Sequence, residues 1–203
     1  ADPERVAILD NFCWPKADTE ESLGALVRTC KGASDAALSY GLPFISGKDS
    51  LNNQFSMTES ESRRTGLARQ LAIPPTLLIS AIGIVENVGR CVTMDLKSAG
   101  NVLVLATGNP GFEFSLSAAL AVHRSVAGLI QKAHVSAAHD VSDGGLAVAL
   151  AEMCIASGFG ATVDLKSAAV PIDLFDEPAA TYVLEMSATE AATSGLPIIG
   201  TVT

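Results

Sequence analysis

The stretch His139-Asp140-Val141-Ser142-Asp143-Gly144-Gly145-Leu146 leads directly into an apolar segment, residues 146–157, with the composition of a buried helix. The paired glycines mark the start of this helix, and Ser142 or Asp143 can cap it. The flanking sequence predicts one further helix, over 115–132, and three strands, over 101–106, 161–165 and 181–185. This succession of strands and helices predicts an α/β (α+β) fold.

The N-terminal part of the chain follows the same plan. Apolar positions recur at helical spacing from Glu21 to Tyr40, with Thr19 as the expected N-cap and Gly41 as the C-terminal stop. Short strands are predicted on both sides of this helix, over Val6–Leu9 and Leu42–Ile45. We expect the polar run Ser46–Ser50 that follows the second strand to form a turn.

The region between these two parts divides into three segments. Residues 52–70 lack apolar periodicity and predict a surface loop, residues 76–85 predict a central strand, and residues 89–100 predict a second extended region. A domain boundary is placed near Leu96, which divides the chain into residues 1–95 and 96–203.

Composition restricts the function classes. The 203 residues carry 13 basic and 22 acidic side chains, a net charge of −9, so nucleic acid is not an expected partner. No apolar run approaches the ~18 residues of a membrane span, and no signal sequence opens the chain. The four cysteines are far apart and lack metal-ligand spacing. These features predict a cytoplasmic protein.

The first candidate site lies in Ser46–Asn53. Gly47 allows the backbone to approach an oxyanion, Lys48 supplies a positive charge, Asp49 can hold a divalent cation, and Ser50 can bond a phosphoryl or ribose oxygen. The run is not a Walker A loop, because Leu42 stands where the first glycine is required. The alternative is a solvated turn that ends a strand.

The second candidate site is the Gly-Gly turn before residues 146–157. Its backbone N–H groups point toward an anion at the positive end of the helix dipole, and Asp140 and Asp143 can instead carry magnesium. The alternative is an ordinary capping turn in which His139 has a structural hydrogen bond. A third, weaker candidate is Asp10-Asn11, where side-chain oxygens end the first strand. Nothing predicts a covalent nucleophile.

Four segments of the chain, in this order, resemble the phosphoribosylformylglycinamidine synthase family. They are Asp10–Pro15, Leu42–Asn53, Ile73–Ala81 and His139–Met153. The resemblance implies the end of a second A-type domain, related to the N-terminal domain of aminoimidazole ribonucleotide synthetase, followed by an incomplete B-type domain related to its C-terminal domain. The segments after residues 108–111 and before residues 195–197 are shorter than the family pattern.

The resemblance also implies an activity. The family is an ATP-dependent ligase that uses formylglycinamide ribonucleotide and glutamine-derived ammonia, with Mg²⁺, a glutaminase subunit and a small accessory subunit. It activates the amide oxygen as an imino-phosphate, which ammonia then displaces. The family's catalytic histidine belongs to a domain that this sequence lacks, so no catalytic residue is assigned and the chain alone is not expected to turn over.

Family positions transfer to seven residues. ATP contacts fall on Asp10, Gly47, Lys48 and Ser142, a substrate contact on Ser50, and metal contacts on Asp49 and Asp140. Lys48 stands where related members have a magnesium-binding Asn, so the metal role there passes to Asp49 or is lost. The alternatives are another ATP enzyme of the aminoimidazole ribonucleotide synthetase and selenophosphate synthetase superfamily, and a non-catalytic scaffold that holds a nucleotide.

Overall fold

A computed structural model of the chain describes residues 3–108, 114–166 and 172–203. The chain forms two compact units, which we call the N-terminal unit (Ala1–Glu86) and the C-terminal unit (Asn87–Thr203). Each unit combines β-sheets with helices, which confirms the predicted α/β class. The division of family domains after residue 95 stays a prediction, and the shortening predicted around residues 109–111 lies outside the described residues.

The described part of the N-terminal unit, residues 3–86, contains five strands and two α-helices. They are β1 (Val6–Cys13), α1 (Glu20–Tyr40), β2 (Phe44–Ser50), β3 (Gln54–Ser56), α2 (Glu59–Thr65), β4 (Gln70–Ala72) and β5 (Thr76–Gly83). In the larger sheet, β1 lies between β2, which is parallel to it, and β5, which is antiparallel. The central strand is therefore β1. The strand predicted at 76–85 is present as β5, but it lies at the edge of the sheet and not at its centre.

Helix α1 confirms the sequence prediction at both ends. The Thr19 hydroxyl accepts the Ser22 N–H, and Gly41 adopts the left-handed conformation with φ 69°. The Gly41 N–H donates to the carbonyls of Ala37 and Leu38, which closes the last turn. A residue with a Cβ is disfavoured at such a φ, so Gly41 ends the helix for the reason that the sequence suggested.

One face of the larger sheet packs against α1. Ile8 and Phe12 are buried on this face, and Asp10 lies between them because side chains alternate along a strand. Trp14 continues the buried set, with its ring centroid 5.9 Å from that of Phe12.

The C-terminal unit, over residues 87–108, 114–166 and 172–203, contains five strands and three α-helices. They are β6 (Val102–Thr107), α3 (Leu116–Gln131), β7 (Ala137–Asp140), α4 (Gly145–Ser157), β8 (Ala161–Val163), β9 (Thr181–Met186), α5 (Ala188–Ser194) and β10 (Ile198–Val202). The strands form one antiparallel sheet in the order β7-β9-β6-β10-β8. The helices predicted at 115–132 and 146–157 are confirmed.

Both faces of this sheet are covered. Leu103 and Leu105 of β6 pack in one core with Met153 of α4, while Val104 and Ala106 pack in a second core on the other face, with side chains of α3 and α5. Burial on both faces explains the apolar run at 102–106. No helix in the described ranges has the length and apolar character that crossing a bilayer requires.

Several local predictions were wrong. The expected turn at Ser46–Ser50 is part of β2, because β1 supplies a parallel partner along its length. The expected loop at 52–70 contains β3, α2 and the start of β4, and the extended region at 89–100 contains a short 3-10 helix, Val88–Arg90, instead of a strand. Strands β7 and β10 were not predicted, and Gly144, not Ser142 or Asp143, caps α4.

Candidate functional site

Asp10 and Gly47 lie opposite each other on the paired strands β1 and β2. A Cβ at position 47 would lie 2.9 Å from Asp10 Cγ, and closer still to Oδ1. The Asp10 carboxylate therefore occupies the space above Gly47 that a side chain would take. Two of the four residues to which the family resemblance assigned ATP contacts therefore lie side by side, although no turn is present.

The pairing of β1 with β2 separates the five candidate residues of this unit into two groups. Asp10, Gly47 and Asp49 share the face that packs against α1, since Asp49 pairs with the buried Phe12. Lys48 pairs with Asn11 and Ser50 pairs with Cys13, so their side chains belong to the opposite face. The continuous sequence motif Gly47–Ser50 thus serves two surfaces.

A cavity of about 760 Å³ lies beside the first group. Asp10 contributes its carboxylate to a lining that is otherwise largely apolar, with Phe12 and Phe44 from the sheet and Leu38 from α1. A largely apolar pocket with a few polar groups at its wall, here Asp10 and Ser34, suits a flat ring that also has a hydrogen-bond donor.

The second group is polar and partly exposed. The Lys48 Nζ donates to the Ser50 hydroxyl, and the Cys13 thiol donates to Asn11 Oδ1 at 3.4 Å. The Ser50 carbonyl accepts the Trp14 N–H at 2.8 Å, which ties the end of β2 to the residue after β1. Ser50 is therefore held at the end of the sheet by its backbone, while its hydroxyl contacts the lysine.

Two carboxylates of this unit could hold a magnesium ion. Asp10 and Asp49 are diagonal neighbours on the α1 face, with Gly47 beside them. Magnesium is commonly held by one or two carboxylates together with substrate phosphates and water, so these residues fit the ion with a nucleotide present. No group of three or more His, Cys, Asp or Glu ligands occurs among the described residues.

Asp140 ends β7 in the C-terminal unit and is exposed. His139 Nδ1 lies 3.4 Å from Asp140 Oδ1, and His139 Nε2 lies 3.0 Å from Glu152 Oε2. The histidine thus bridges a strand-end carboxylate and a carboxylate on α4. These contacts agree with the alternative reading of the sequence, in which His139 has a structural hydrogen bond. The sequence did not indicate Glu152 as its partner.

Three N–H groups at the start of α4 donate to acceptors within the chain. The Gly144 N–H donates to Glu177 Oε1 at 2.8 Å, the Gly145 N–H to the Ser142 carbonyl at 2.9 Å, and the Ala147 N–H to the Leu174 carbonyl at 2.8 Å. A carboxylate therefore stands where the sequence suggested an anion would bind. Ser142 contributes its carbonyl to this turn.

Glu185 is a further polar residue that sequence reasoning missed. It is fully buried in β9, and its carboxylate accepts the N–H groups of Lys97 at 2.7 Å and Ser98 at 3.0 Å. The Asn101 side-chain amide donates a third bond at 2.7 Å. A single charged residue within the apolar run 181–186 was the signal available. Its role here is to anchor the segment that leads into β6.

One protein-family model matches the C-terminal half of the chain. Residues 94–197 match the family model described as AIR synthase related protein, C-terminal domain, and this match covers about half of the chain. The chain therefore belongs to the AIR synthase related family.

The whole chain is similar to curated proteins named phosphoribosylformylglycinamidine synthase subunit PurL. The chain is 32% identical to that subunit from Rhodospirillum rubrum, with 97% of the chain and 29% of the relative covered. It is 33% identical to the subunit from Chelativorans, with 91% and 26% covered. The predicted family resemblance is confirmed, and the chain spans less than a third of these relatives' length.

Solved structures share the fold. Thermotoga maritima PurL complexed with ATP matches with a TM-score of 0.68 at 20% identity, covering 97% of the chain and 33% of that structure. A HypE–HypF complex matches with a TM-score of 0.60 at 18% identity, covering 98% of the chain and 72% of the matched structure. At these identities the matches show a common fold and nothing about the chemistry.

Proposed function

We propose that this chain provides part of the nucleotide and substrate site of an ATP-dependent phosphoribosylformylglycinamidine synthase. The reaction joins nitrogen from glutamine-derived ammonia to formylglycinamide ribonucleotide and yields the amidine, ADP and phosphate. Support comes from the PurL relatives and from a T. maritima PurL structure complexed with FGAR. Because the chain spans less than a third of those relatives, we propose that it does not turn over alone.

The observation that carries the proposal is the arrangement of Asp10 over Gly47. The glycine leaves room for the Asp10 carboxylate, which can accept a hydrogen bond from a nucleotide hydroxyl or amino group or share a cation with the phosphates. The neighbouring cavity beside α1 has the size and apolar lining that a purine ring requires. We therefore assign the ATP contacts of this unit to Asp10 and Gly47.

Phosphoryl transfer to an amide oxygen depends on positioning and on neutralisation of charge rather than on a protein nucleophile. Asp10 and Asp49 would hold Mg²⁺, which when bound would offset the negative charge of the triphosphate. The chain's own contribution is to hold these two carboxylates beside Gly47 on the α1 face. In the C-terminal unit, we assign a metal contact to Asp140 and a nucleotide contact to Ser142.

The partners follow from the same proposal. Ammonia must reach the activated amide, so a glutaminase subunit is required, and a small accessory subunit is expected with it. A structure described as PurLQS from T. maritima is similar to this chain, with a TM-score of 0.71. We place the reaction in the cytoplasm, in keeping with the four cysteines, which are free thiols.

Titration calorimetry with ATP and magnesium tests the proposal. We expect saturable binding to the 203-residue chain, weakened about tenfold or more in Asp10→Asn, because a charged hydrogen-bond acceptor is lost. Asp35→Asn, which alters an exposed α1 carboxylate paired with Lys31, is the matched control and should bind as the parent does. A folded parent chain that binds no nucleotide would support the scaffold alternative.

A further inference from the structure

The cavity of about 760 Å³ beside α1 has polar side chains on two of its walls. Asp10 stands on the sheet side, in β1, and Ser34 stands on the helix side, in α1. Among the described residues that line the cavity, the remaining polar side-chain atom is the sulfur of Cys30, one helical turn before Ser34. A ring that enters this cavity therefore meets a carboxylate from one wall and a hydroxyl from the other.

Ser34 differs from Thr29 and Ser39, the hydroxyl residues that precede and follow it on α1. The Thr29 hydroxyl donates to the Ala25 carbonyl at 2.9 Å. The Ser39 hydroxyl donates to the Asp35 carbonyl at 2.8 Å. Such a bond to the preceding turn is the usual way in which a hydroxyl inside a helix is satisfied. In the described part of the chain Ser34 makes no such bond, and it is exposed, so a ligand in the cavity can reach its hydroxyl.

The carboxylate on the sheet wall belongs to the phosphate end of the proposed nucleotide. Asp10 lies beside Gly47 and has Asp49 as its diagonal neighbour, and these two acids would share the magnesium ion with the phosphates. Because the ribose separates the base from the phosphates, a carboxylate engaged in this way is not available to the base. The helix wall must then supply the polar contact of the base.

A base amino group inside the cavity needs an acceptor. Against Phe12, Leu38 and Phe44 it would lose its hydrogen bond to water and gain none in return, which lowers affinity. A serine hydroxyl accepts through two lone pairs, whereas a thiol is a weak acceptor. Of the side chains on the helix wall, Ser34 is therefore the one that can satisfy this amino group.

We propose that the Ser34 hydroxyl accepts a hydrogen bond from the exocyclic amino group of adenine, with the base in the cavity between α1 and the sheet. The inference rests on the proposed function, because it takes ATP as the occupant. It adds a base contact that the positions transferred from the family do not include. Ser34 on the helix and Asp10 on the sheet then hold the two ends of one nucleotide.

Calorimetry on the 203-residue chain tests this contact from both sides, with ATP and with purine riboside 5′-triphosphate, each with magnesium. Ser34→Ala should weaken ATP binding by about threefold to tenfold, the effect of one hydrogen bond between uncharged groups. It should leave the affinity for purine riboside 5′-triphosphate unchanged, because that nucleotide lacks the amino group. Ser39→Ala is the matched control and should bind ATP as the parent does, since its hydroxyl is bonded within the helix. Circular dichroism checks that each variant is folded.

The thiol in the cavity gives a second readout that needs no substitution. Cys30 and Cys91 are both exposed free thiols, and of the two Cys30 lines the cavity. Saturating ATP with magnesium should slow the alkylation of Cys30 by iodoacetamide severalfold, because the base covers the thiol. The alkylation rate of Cys91, in the C-terminal unit, should not change.

Three outcomes would overturn the inference. They are undiminished ATP binding in Ser34→Ala, an equal loss of purine riboside 5′-triphosphate binding in that variant, and alkylation of Cys30 at an unchanged rate in saturating ATP. A folded parent chain that binds no ATP would refute the proposed function and this inference together. ATP binding that is weakened by Asp10→Asn and not by Ser34→Ala would refute the inference alone.

Discussion

The Asp10 carboxylate fills the space above Gly47, so that a Cβ at position 47 would lie 2.9 Å from Asp10 Cγ. The contact is produced by the parallel register of β1 and β2, in which these two residues are partners. Glycine is needed here for its lack of a side chain, because its strand conformation would suit any residue. The pair therefore links the fold of the N-terminal unit to its proposed ATP contact.

Gly47→Ala should destabilise the chain by about 1–3 kcal/mol, because an added methyl group overpacks a close contact. Denaturant unfolding measures this change. Gly32→Ala on α1 is the control, since nothing lies within 4 Å of a Cβ there, and alanine should leave stability unchanged or raise it.

The double variant Asp10→Ala with Gly47→Ala tests the cause. Removing the carboxylate creates room for the methyl group. The double variant should therefore lose less unfolding free energy than the sum of the losses in the two single variants. Strict additivity would mean that the Asp10 contact is not what requires glycine at position 47.

Glu185→Ala should cost at least about 3 kcal/mol of unfolding free energy, because three donors lose a buried charged acceptor. These donors are the N–H groups of Lys97 and Ser98 and the Asn101 amide. Thermal or urea unfolding provides the measurement, with the exposed Glu86→Ala as the control. A cost as small as that of Glu86→Ala would refute the anchoring role of Glu185.

Asp95 should titrate well below an ordinary aspartate. Hydrogen bonds, first from Lys97 and then from Thr93, lower the pKa of Asp95 from 3.8 to about 2. Since the folded-state pKa is the lower one, the stabilisation is present above about 4 and is lost as the pH falls toward about 2. Carboxyl NMR titration of the parent and of Lys97→Met checks this, because the variant's pKa should rise toward 3.8.

Gly145→Ala should destabilise α4 more than Gly158→Ala does. Both glycines have positive φ, 72° and 77°, so alanine is strained at either position. A Cβ at 145 would also lie 2.7 Å from the Asp176 carbonyl oxygen, whereas nothing lies within 4 Å at 158. Unfolding free energies of the two variants measure the difference, and equal losses would contradict the close packing of residues 174–176 on this turn.

The parts of the fold that were predictable from sequence have strong local signals. Helix α1 has apolar periodicity, a Thr19 cap and a Gly41 stop, and all three are confirmed. The buried strand β6 is an apolar run covered on both faces. In β6, local propensity and tertiary packing favour the same structure. Helix α1 has no buried residue, and its helical spacing and two caps specify it.

The parts that were not predictable depend on partners distant in sequence. Ser46–Ser50 has turn composition, yet it forms a strand because β1 lies beside it, and this tertiary pairing overrides the weak strand preference of Gly, Lys and Asp. The split of Lys48 and Asp49 between two faces follows from that strand. Likewise, the hydrogen bond from the Gly144 N–H to Glu177 joins residues 33 positions apart, so the local sequence does not predict it.

The measurement that tests the central claim most directly is the structure of this chain crystallised with ATP and magnesium. The account predicts nucleotide density on the α1 face beside Gly47, with the Asp10 carboxylate in contact with the nucleotide or its cation. Nucleotide bound only elsewhere, without contact to Asp10, would contradict it.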